Sequence, residues 1–203
     1  MHEYSISYHD RKLAYYFLAI LSSLAGIAIA YLLNAVQANS GIVIAAPSGV
    51  AVFIALFILF DRFIWNWPLL YKWGIIKIPD LSGDWKAEIS PFTAGEKITA
   101  SVKIHQTYSK IGIHLETSKS NSLSQMAAIE MANPTMFTLR YEYNAEFLRD
   151  EQSAILRHYG VTSIRLKSSD HRFESEHAAI YYTEQGRDTH GEIVFSRVTP
   201  NEK

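Results

Sequence analysis

The sequence has no cysteine in 203 residues and no large excess of charge of either sign. Without cysteine the chain has neither disulfide bridges nor thiolate metal ligands, and it suits a reducing compartment. Nineteen Lys and Arg residues against twenty Asp and Glu residues give a formal net charge of −1. This balance argues against general electrostatic binding to DNA or RNA.

Charge is also absent from one long segment. Between Leu13 and Phe60 there is no Asp, Glu, Lys or Arg. A single helical crossing of a bilayer needs about 20 apolar residues, so this run suffices for two. We predict helices over Leu13–Leu33 and Ile42–Phe60, with the uncharged turn Asn34–Gly41 between them. Pro47 falls in the first turns of the second helix, where a missing N–H costs least.

The predicted domains are therefore a two-pass transmembrane hairpin with its linker, residues 1–78, and a soluble domain, residues 79–203. Basic residues flank the pair of helices on both outer sides, and the turn has none: Arg11, Lys12, Arg62, Lys72 and Lys77. The positive-inside rule then predicts a multi-pass membrane protein with both termini in the cytoplasm. Tryptophan and tyrosine residues after the second helix form a predicted interfacial belt: Trp65, Trp67, Tyr71 and Trp73.

Cleavage of the first segment as a signal peptide is an alternative, because Val36-Gln37-Ala38 passes as a processing site. The apolar run is longer than a signal sequence requires, and the second helix would still stop transfer. Small residues at four-residue spacing, Ser22, Gly26 and Ala30, predict close helix contact in lipid. The contact is either with the partner helix of the same hairpin or with another protomer. No Asp, Glu, Lys, Arg or His lies inside either predicted span, which disfavours a transporter or selective channel.

From residue 79 onward the apolar period becomes two, the period of half-buried strands. We predict eight strands: Gly83–Ile89, Lys97–Gln106, Lys110–Thr117, Leu123–Met131, Met136–Tyr143, His158–Lys167, His171–Tyr182 and Thr189–Arg197. Ala145–Leu156 is predicted as a short helix or a loop. Eight successive short strands favour a closed antiparallel barrel, with a sandwich as the alternative.

The segment Leu81-Ser82-Gly83-Asp84-Trp85 opens the first of these strands. Its Gly-x-Trp resembles the lipocalin signature, in which the tryptophan closes the floor of an eight-stranded barrel. Together with the two helices and the short loop between them, it resembles the two-transmembrane, β-strand-rich effector family of bacterial CBASS anti-phage systems. The resemblance covers nearly the whole chain and depends on architecture more than on a catalytic motif.

That resemblance implies a function. In such systems a nucleotidyltransferase makes a cyclic oligonucleotide, commonly a cyclic dinucleotide, on infection. The barrel would bind this activating ligand, the protein would form a homo-oligomer, and the helices would disrupt the lipid bilayer of the bacterial inner membrane. The infected cell would die. The resemblance does not transfer individual ligand contacts, so candidate residues are chosen on physical grounds.

A cyclic dinucleotide needs cations for its phosphates and aromatic faces for its bases. Tyr141, Tyr143, Tyr181 and His177 share the predicted inward face and form the best candidate stacking surface. Arg187 is in register with that face at a rim. The remaining candidates are Arg140, which alternation points outward toward a carboxylate partner, Tyr108 and Lys110 on a hairpin turn, and Arg157 and His158 at a strand start.

The sequence predicts no enzyme, no metal site and no cofactor. It lacks a Gly-x-Ser-x-Gly elbow, a P-loop, a Gly-x-Gly-x-x-Gly turn and a helical His pair. Two alternatives to the cyclic-nucleotide receptor stay open at this point. One is a membrane-anchored carrier of an apolar ligand, and the other is a membrane scaffold whose barrel docks a protein.

Overall fold

The computed structural model describes residues 1–93, 95–133, 136–147, 157–169, 172–173, 176–184 and 189–198. Packing divides the chain into two compact units. Residues 9–76 form a helical unit, and residues 1–8 together with 77–203 form a β unit. The β unit is thus made from two separate stretches of chain.

In the helical unit, α1 spans Arg11–Ser40 and begins at Asp10, whose carboxylate accepts a hydrogen bond from the Lys12 N–H at 2.9 Å. The helix extends well beyond the predicted end at Leu33, so the prediction of a turn over Asn34–Gly41 is wrong. No glycine or proline interrupts this polar stretch before Gly41, which ends the helix in the left-handed conformation, φ 71°. Within the described residues, α1 is the one helix long and apolar enough to cross a membrane.

The second helix, α2, spans Gly49–Leu59 and continues as a π-helical turn, Phe60–Ile64. The predicted start at Ile42 is wrong, because Pro47 and the residue before it resist helical geometry. Ser48 caps the helix instead, its hydroxyl accepting from the Ala51 N–H at 3.2 Å. The second predicted helix is therefore not a full-length membrane span. A short helix, α3, follows at Pro68–Lys72.

Helix α1 packs against α2, and the rings of Tyr15 and Phe57 lie 5.9 Å apart. Of the three small residues predicted to mediate helix contact, Ser22 is buried, whereas Gly26 and Ala30 are half-buried. The Ser22 hydroxyl donates to the Ala19 carbonyl at 2.8 Å, so its polar group is satisfied within its own helix. These three residues therefore lie away from the most exposed side of α1.

The β unit confirms a mostly β C-terminal region. The described residues of this unit form ten strands: β1 His2–Ile6, β2 Gly83–Pro91, β3 Ile98–Gln106, β4 Lys110–Thr117, β5 Ser120–Asn133, β6 Met136–Phe147, β7 Arg157–Ser169, β8 Arg172–Phe173, β9 Glu176–Thr183 and β10 His190–Arg197. Strand β1 has no counterpart in the prediction. The predicted strand His171–Tyr182 covers β8 and β9. Part of the predicted helix or loop, Ala145–Phe147, belongs to β6.

The strand order is β6-β5-β1-β4-β3-β2-β10-β9-β7-β8, and β6 also pairs with β7. Because β4 and β5 pair as well, the antiparallel pairings of β2 to β7, β9 and β10 form a closed circuit. Alternate residues are buried along β3, β9 and β10, as the period-two pattern predicts. Ile98 at the start of β3 is an exception, because it is in phase with the buried residues of its strand but is 40% exposed.

Candidate functional site

The two ends of the closed sheet differ in the size of their buried side chains. One end, which we call the Trp85 end, contains the β3–β4 turn and the start of β2. The buried Trp85 indole N–H donates to the Leu81 carbonyl at 3.0 Å. Arg197 lies 5.5 Å above the indole ring and donates to the Ser82 carbonyl at 2.6 Å. Large buried residues fill this end: Ile104, Tyr108, Ile111, Phe137, Leu166 and Phe195.

The opposite end, which we call the Tyr143 end, contains the turn from β4 to β5 and the ends of β2, β6 and β9. Five of the buried residues at this end are small: Ala100, Ser122, Ala145, Gly160 and Gly191. Aromatic side chains lie beside these small residues on the same face. The Tyr143 end therefore combines small residues with aromatic rings, the combination that an aromatic ligand site needs.

Two tyrosines at this end each lie over a glycine of the neighbouring strand. Tyr143 is directly opposite Gly160, and Tyr181 is directly opposite Gly191. A Cβ atom built on Gly160 would collide with the Tyr143 phenol and would stand 2.7 Å from the Tyr182 carbonyl. One built on Gly191 would stand 2.8 Å from the Tyr181 ring. The absent side chains of the glycines thus create the space in which the tyrosine rings lie.

Tyr141 lies one inward position deeper and directly opposite Thr162. Its side chain is 4% exposed, and burial raises the pKa of its phenol well above 10.0. The neighbouring Thr162 hydroxyl lowers this pKa and the nearby Tyr143 raises it, both by less than burial does. Tyr141 is therefore a neutral hydrogen-bonding group at physiological pH, held 6.2 Å from the Tyr143 ring.

The aromatic surface extends toward the rim through His158 and Phe147. His158 is 9% exposed, and its ring stands edge-on to Tyr143 at 6.2 Å. Phe147 lies 5.5 Å from the His158 ring on the other side. The series Tyr141, Tyr143, His158 and Phe147 is therefore continuous. Such a surface provides faces on which nucleobases stack with little sequence preference.

Cations surround the Tyr143 end on the outside. Arg157 forms an ion pair with Glu146 at 2.6 Å, and Lys97 lies 3.9 Å from Glu88. Both pairs are mostly exposed, and exposed ion pairs contribute at most about 1 kcal/mol. If an anionic ligand replaced the carboxylate partner of Arg157 or Lys97, the loss of the ion pair would therefore cost little free energy. Lys119 lies in the turn between β4 and β5 at the same end.

The structure brings five predicted candidates together at the Tyr143 end: Tyr141, Tyr143, Arg157, His158 and Tyr181. His177 shares the buried face of the three tyrosines but lies toward the other end, with its ring 5.8 Å from the Trp85 ring. Arg140 is exposed and pairs with Glu130 at 3.3 Å. The other two described candidates belong to the Trp85 end, where Tyr108 is fully buried and Lys110 begins β4. Arg187 lies outside the described residues.

Gly160 and Gly191 are not among the site residues that the sequence predicts. Glycine within a strand marks a close approach by another group, which was the available signal. The partner of each glycine follows only from the register between strands, for example Tyr143 with Gly160. That register depends on contacts between residues far apart in sequence, and periodicity does not give it.

No group of three or more His, Asp or Glu side chains suited to a metal ion occurs in the described part of the chain. A recess on the outer face of β2, β3 and β4 is lined by side chains of both signs, including Lys86, Lys103, Asp84 and Glu116. Opposite charges side by side do not select an anion. The Tyr143 end is therefore the stronger candidate for the functional site.

Comparisons with known proteins also indicate that the functional site lies in the β unit. Residues 76–197 match the family described as "Cap15, cyclic dinucleotide receptor domain". The chain is also 27% identical over 209 residues to CD-NTase-associated protein 15 of Yersinia aleksiciae, and the match covers 97% of each chain. The resemblance to CBASS effectors is thereby confirmed. The matched segment contains the whole closed circuit of strands and both tyrosine–glycine pairs, and the chain belongs to the Cap15 family.

Proposed function

We propose that this chain is a CBASS effector whose β unit is a lipocalin-like barrel that binds a cyclic dinucleotide at the Tyr143 end. One observation carries the proposal: two tyrosines lie over glycines at the same end of a closed sheet that matches a cyclic dinucleotide receptor family. The pairs are Tyr143 with Gly160 and Tyr181 with Gly191.

The chemistry of the site suits such a ligand. Tyr143 and Tyr181 supply aromatic faces for two bases, and stacking contributes about 1–3 kcal/mol per base. Arg157, released from Glu146, supplies a planar guanidinium for a phosphate. Arg187, which is predicted from the sequence, is a second candidate for binding a phosphate. The neutral Tyr141 phenol offers a donor to a base edge.

We propose a receptor and not an enzyme. The residues at the Tyr143 end offer stacking faces and hydrogen bonds, and the one buried imidazole among them, His158, is packed between Tyr143 and Phe147. Catalysis needs a base or nucleophile with a positioned partner beside the reacting atom. An apolar carrier fits less well, because large side chains fill the Trp85 end.

The membrane arrangement that we propose is two passes with both termini in the cytoplasm. Its support is topological, because β1 and β2 belong to the same sheet although residues 9–76 separate them. If α1 crosses a bilayer, the chain must cross again to rejoin its sheet. The α2 helix and its π-helical turn together rise roughly 24 Å, slightly less than the hydrocarbon thickness of about 30 Å. Local thinning accommodates a mismatch of this size.

The proposed sequence of events follows from linkage. A functionally associated nucleotidyltransferase makes the cyclic dinucleotide on infection. A ligand that binds assembled copies more tightly than single copies drives assembly by that difference in affinity. The assembled helical units then disrupt the inner membrane and the infected cell dies.

Binding is tested with the full chain in detergent against a panel of cyclic dinucleotides and trinucleotides, with linear dinucleotides as controls. A ligand at 100 times its Kd stabilises the folded state by about 2.7 kcal/mol, or a rise in Tm of about 10 °C. Tyr143→Ala should weaken binding by roughly 5- to 150-fold, the equivalent of one stacked base. Tyr159→Ala, on the exposed outer face of β7, is the matched control. Binding that is equally strong in both variants would place the ligand elsewhere.

A further inference from the structure

Strand β1 occupies a slot between two strands that would otherwise be neighbours. Near their common turn, β4 and β5 pair directly over His114–Glu116 and Asn121–Leu123. Farther along, they diverge and β1 lies between them. It is antiparallel to β4, with Glu3 opposite Lys110, and parallel to β5, with Tyr4 opposite Ala127.

Specific side-chain contacts hold β1 in this slot. Tyr4 is 3% exposed, and its hydroxyl lies 3.2 Å from the carbonyl oxygens of both Thr107 and Tyr108. Gln106 donates to the Tyr4 hydroxyl at 3.2 Å. At the far end of the strand, a ring nitrogen of His2 lies 2.8 Å from the Ser124 hydroxyl. The slot therefore recognises the sequence of β1 as well as its backbone.

The covalent connection of β1 is remote from these contacts. The chain leaves the sheet after β1, passes through the whole helical unit, and returns at residue 77. The match to the receptor family begins at residue 76 and does not include β1. Strand β1 is thus a short segment supplied to the receptor domain from outside, attached to α1 through residues 7–10.

A vacant slot would expose the facing edges of β4 and β5. Unpaired strand edges bind other strands, and their buried N–H and C=O groups need partners. Another copy of β1 would pair with both strand edges and would also supply a Tyr4 side chain to the hydrogen-bond partners described above. Exchange of identical segments between protomers preserves every contact and needs little free energy.

We propose that β1 is exchanged between protomers, so that β1 of one copy fills the slot between β4 and β5 of a second copy. This inference names the partner surface in the assembly proposed above and rests on that proposal for its trigger. Residues 7–10 reach at most roughly 14 Å when extended. Exchange therefore joins copies whose α1 helices are close neighbours, and it links assembly of the helical units to the β units.

The absence of native cysteine allows a direct test by disulfide trapping. Glu3 and Lys110 are both exposed and directly opposite each other, within the Cα separation of about 4.5–5.5 Å that a disulfide accepts. One full-length chain carries E3C and a second chain carries K110C. The two are mixed in detergent with and without the cyclic dinucleotide and then oxidised. Exchange predicts a disulfide-linked dimer of one chain of each kind.

The matched control is K86C on one chain and S101C on the other. Lys86 and Ser101 are also exposed and directly opposite, but they lie on the consecutive strands β2 and β3, which have no slot between them. This pair should give only background cross-linking between chains. Assembly is followed in parallel by light scattering, so that cross-linking and association are separate measurements.

The outcomes distinguish the two proposals. If the chains assemble and the yield of the E3C–K110C dimer exceeds that of the control pair, exchange is supported. Assembly with no such dimer overturns exchange and leaves the receptor function intact. Ligand-independent dimer supports exchange but contradicts ligand control of it. If ligand neither binds nor produces assembly or cross-links, both the exchange and the proposed function are overturned.

Discussion

Tyr143 lies across Gly160, its direct neighbour on the adjacent strand, so closely that no side chain at residue 160 fits beneath the phenol. The same relationship joins Tyr181 to Gly191. Strand glycines weaken a sheet unless another group covers them, and here aromatic rings do so. The two pairs hold ring faces at the Tyr143 end of the sheet, where the proposed ligand binds.

Gly160→Ala should therefore displace Tyr143 and weaken cyclic dinucleotide binding about as much as Tyr143→Ala does. The added methyl also meets the Tyr182 carbonyl at 2.7 Å, so we expect a stability loss of about 1–3 kcal/mol. Binding is measured by calorimetry and unfolding by denaturant titration. Gly95→Ala is the control, because its Cβ would lie 3.5 Å from Pro91, an ordinary contact. Wild-type affinity in G160A would contradict the proposed role of the tyrosine–glycine pair.

Gln106 connects the two stretches of chain that make the β unit, because it bonds to Tyr4 on one side and to Pro79 and Leu81 on the other. Gln106→Ala should lower the free energy of unfolding by roughly 2–4 kcal/mol, since it leaves several half-buried polar groups without a partner. Gln125→Ala, at an exposed residue of β5, should change it by less than about 0.5 kcal/mol. Equal losses in the two variants would show that the network is unimportant for stability.

Stability should fall in alkaline solution because of two tyrosines, the half-buried Tyr8 and the buried Tyr141. Burial is the main cause that raises the pKa of both Tyr8 and Tyr141 above the ordinary 10.0. Below pH 10 both groups are neutral in the folded and unfolded chain, so their contribution is constant there. As pH rises above 10, the unfolded chain ionises first and stability is lost. Tyr141→Phe should flatten this decline, and Tyr159→Phe, at an exposed position, should retain it. An unchanged decline in Y141F would count against a buried neutral phenol.

The membrane proposal predicts which positions a membrane-impermeant maleimide reaches. Asn39→Cys, near the end of α1, should be labelled from outside an intact inner membrane. Glu3→Cys in β1 and Glu192→Cys in β10 should be labelled only after permeabilisation. All three side chains are exposed, so accessibility within the protein is matched. Labelling of residue 192 in intact cells would contradict a cytoplasmic β unit, and labelling of residues 3 and 192 on opposite sides would contradict two passes.

Much of the β unit could be predicted because alternation of apolar residues encodes which side of a strand is buried. For example, Trp85, Val102, Leu139 and Ile193 lie in the apolar phase of their alternating strands, and all four are buried. The helical unit was harder, because an uncharged polar stretch such as Asn34–Ser40 can continue a helix as well as end one. The sequence places Gly41 and Pro47 but does not say which of them ends a helix and which precedes one.

Strand β1 was not predicted from the sequence, for a different reason. Five residues separated from the rest of the sheet by a whole helical unit carry too little periodicity to identify a strand, and their partners on β4 and β5 are far away in sequence. Tyr108 and Lys110 show the same limit. Alternation gives the face of a strand, but it does not say which end of the sheet a turn joins, so these residues were grouped with tyrosines that lie at the other end.

The order of residues alone determined that one apolar segment precedes a mostly β domain, and which side chains of each strand turn inward, because both depend on local hydrophobic pattern. Tertiary structure decided the rest: which strands are neighbours, that Tyr143 meets Gly160, and that β1 fills a slot between β4 and β5. These relationships depend on register and on contacts across long stretches of chain, and only the packing of the complete sheet establishes them.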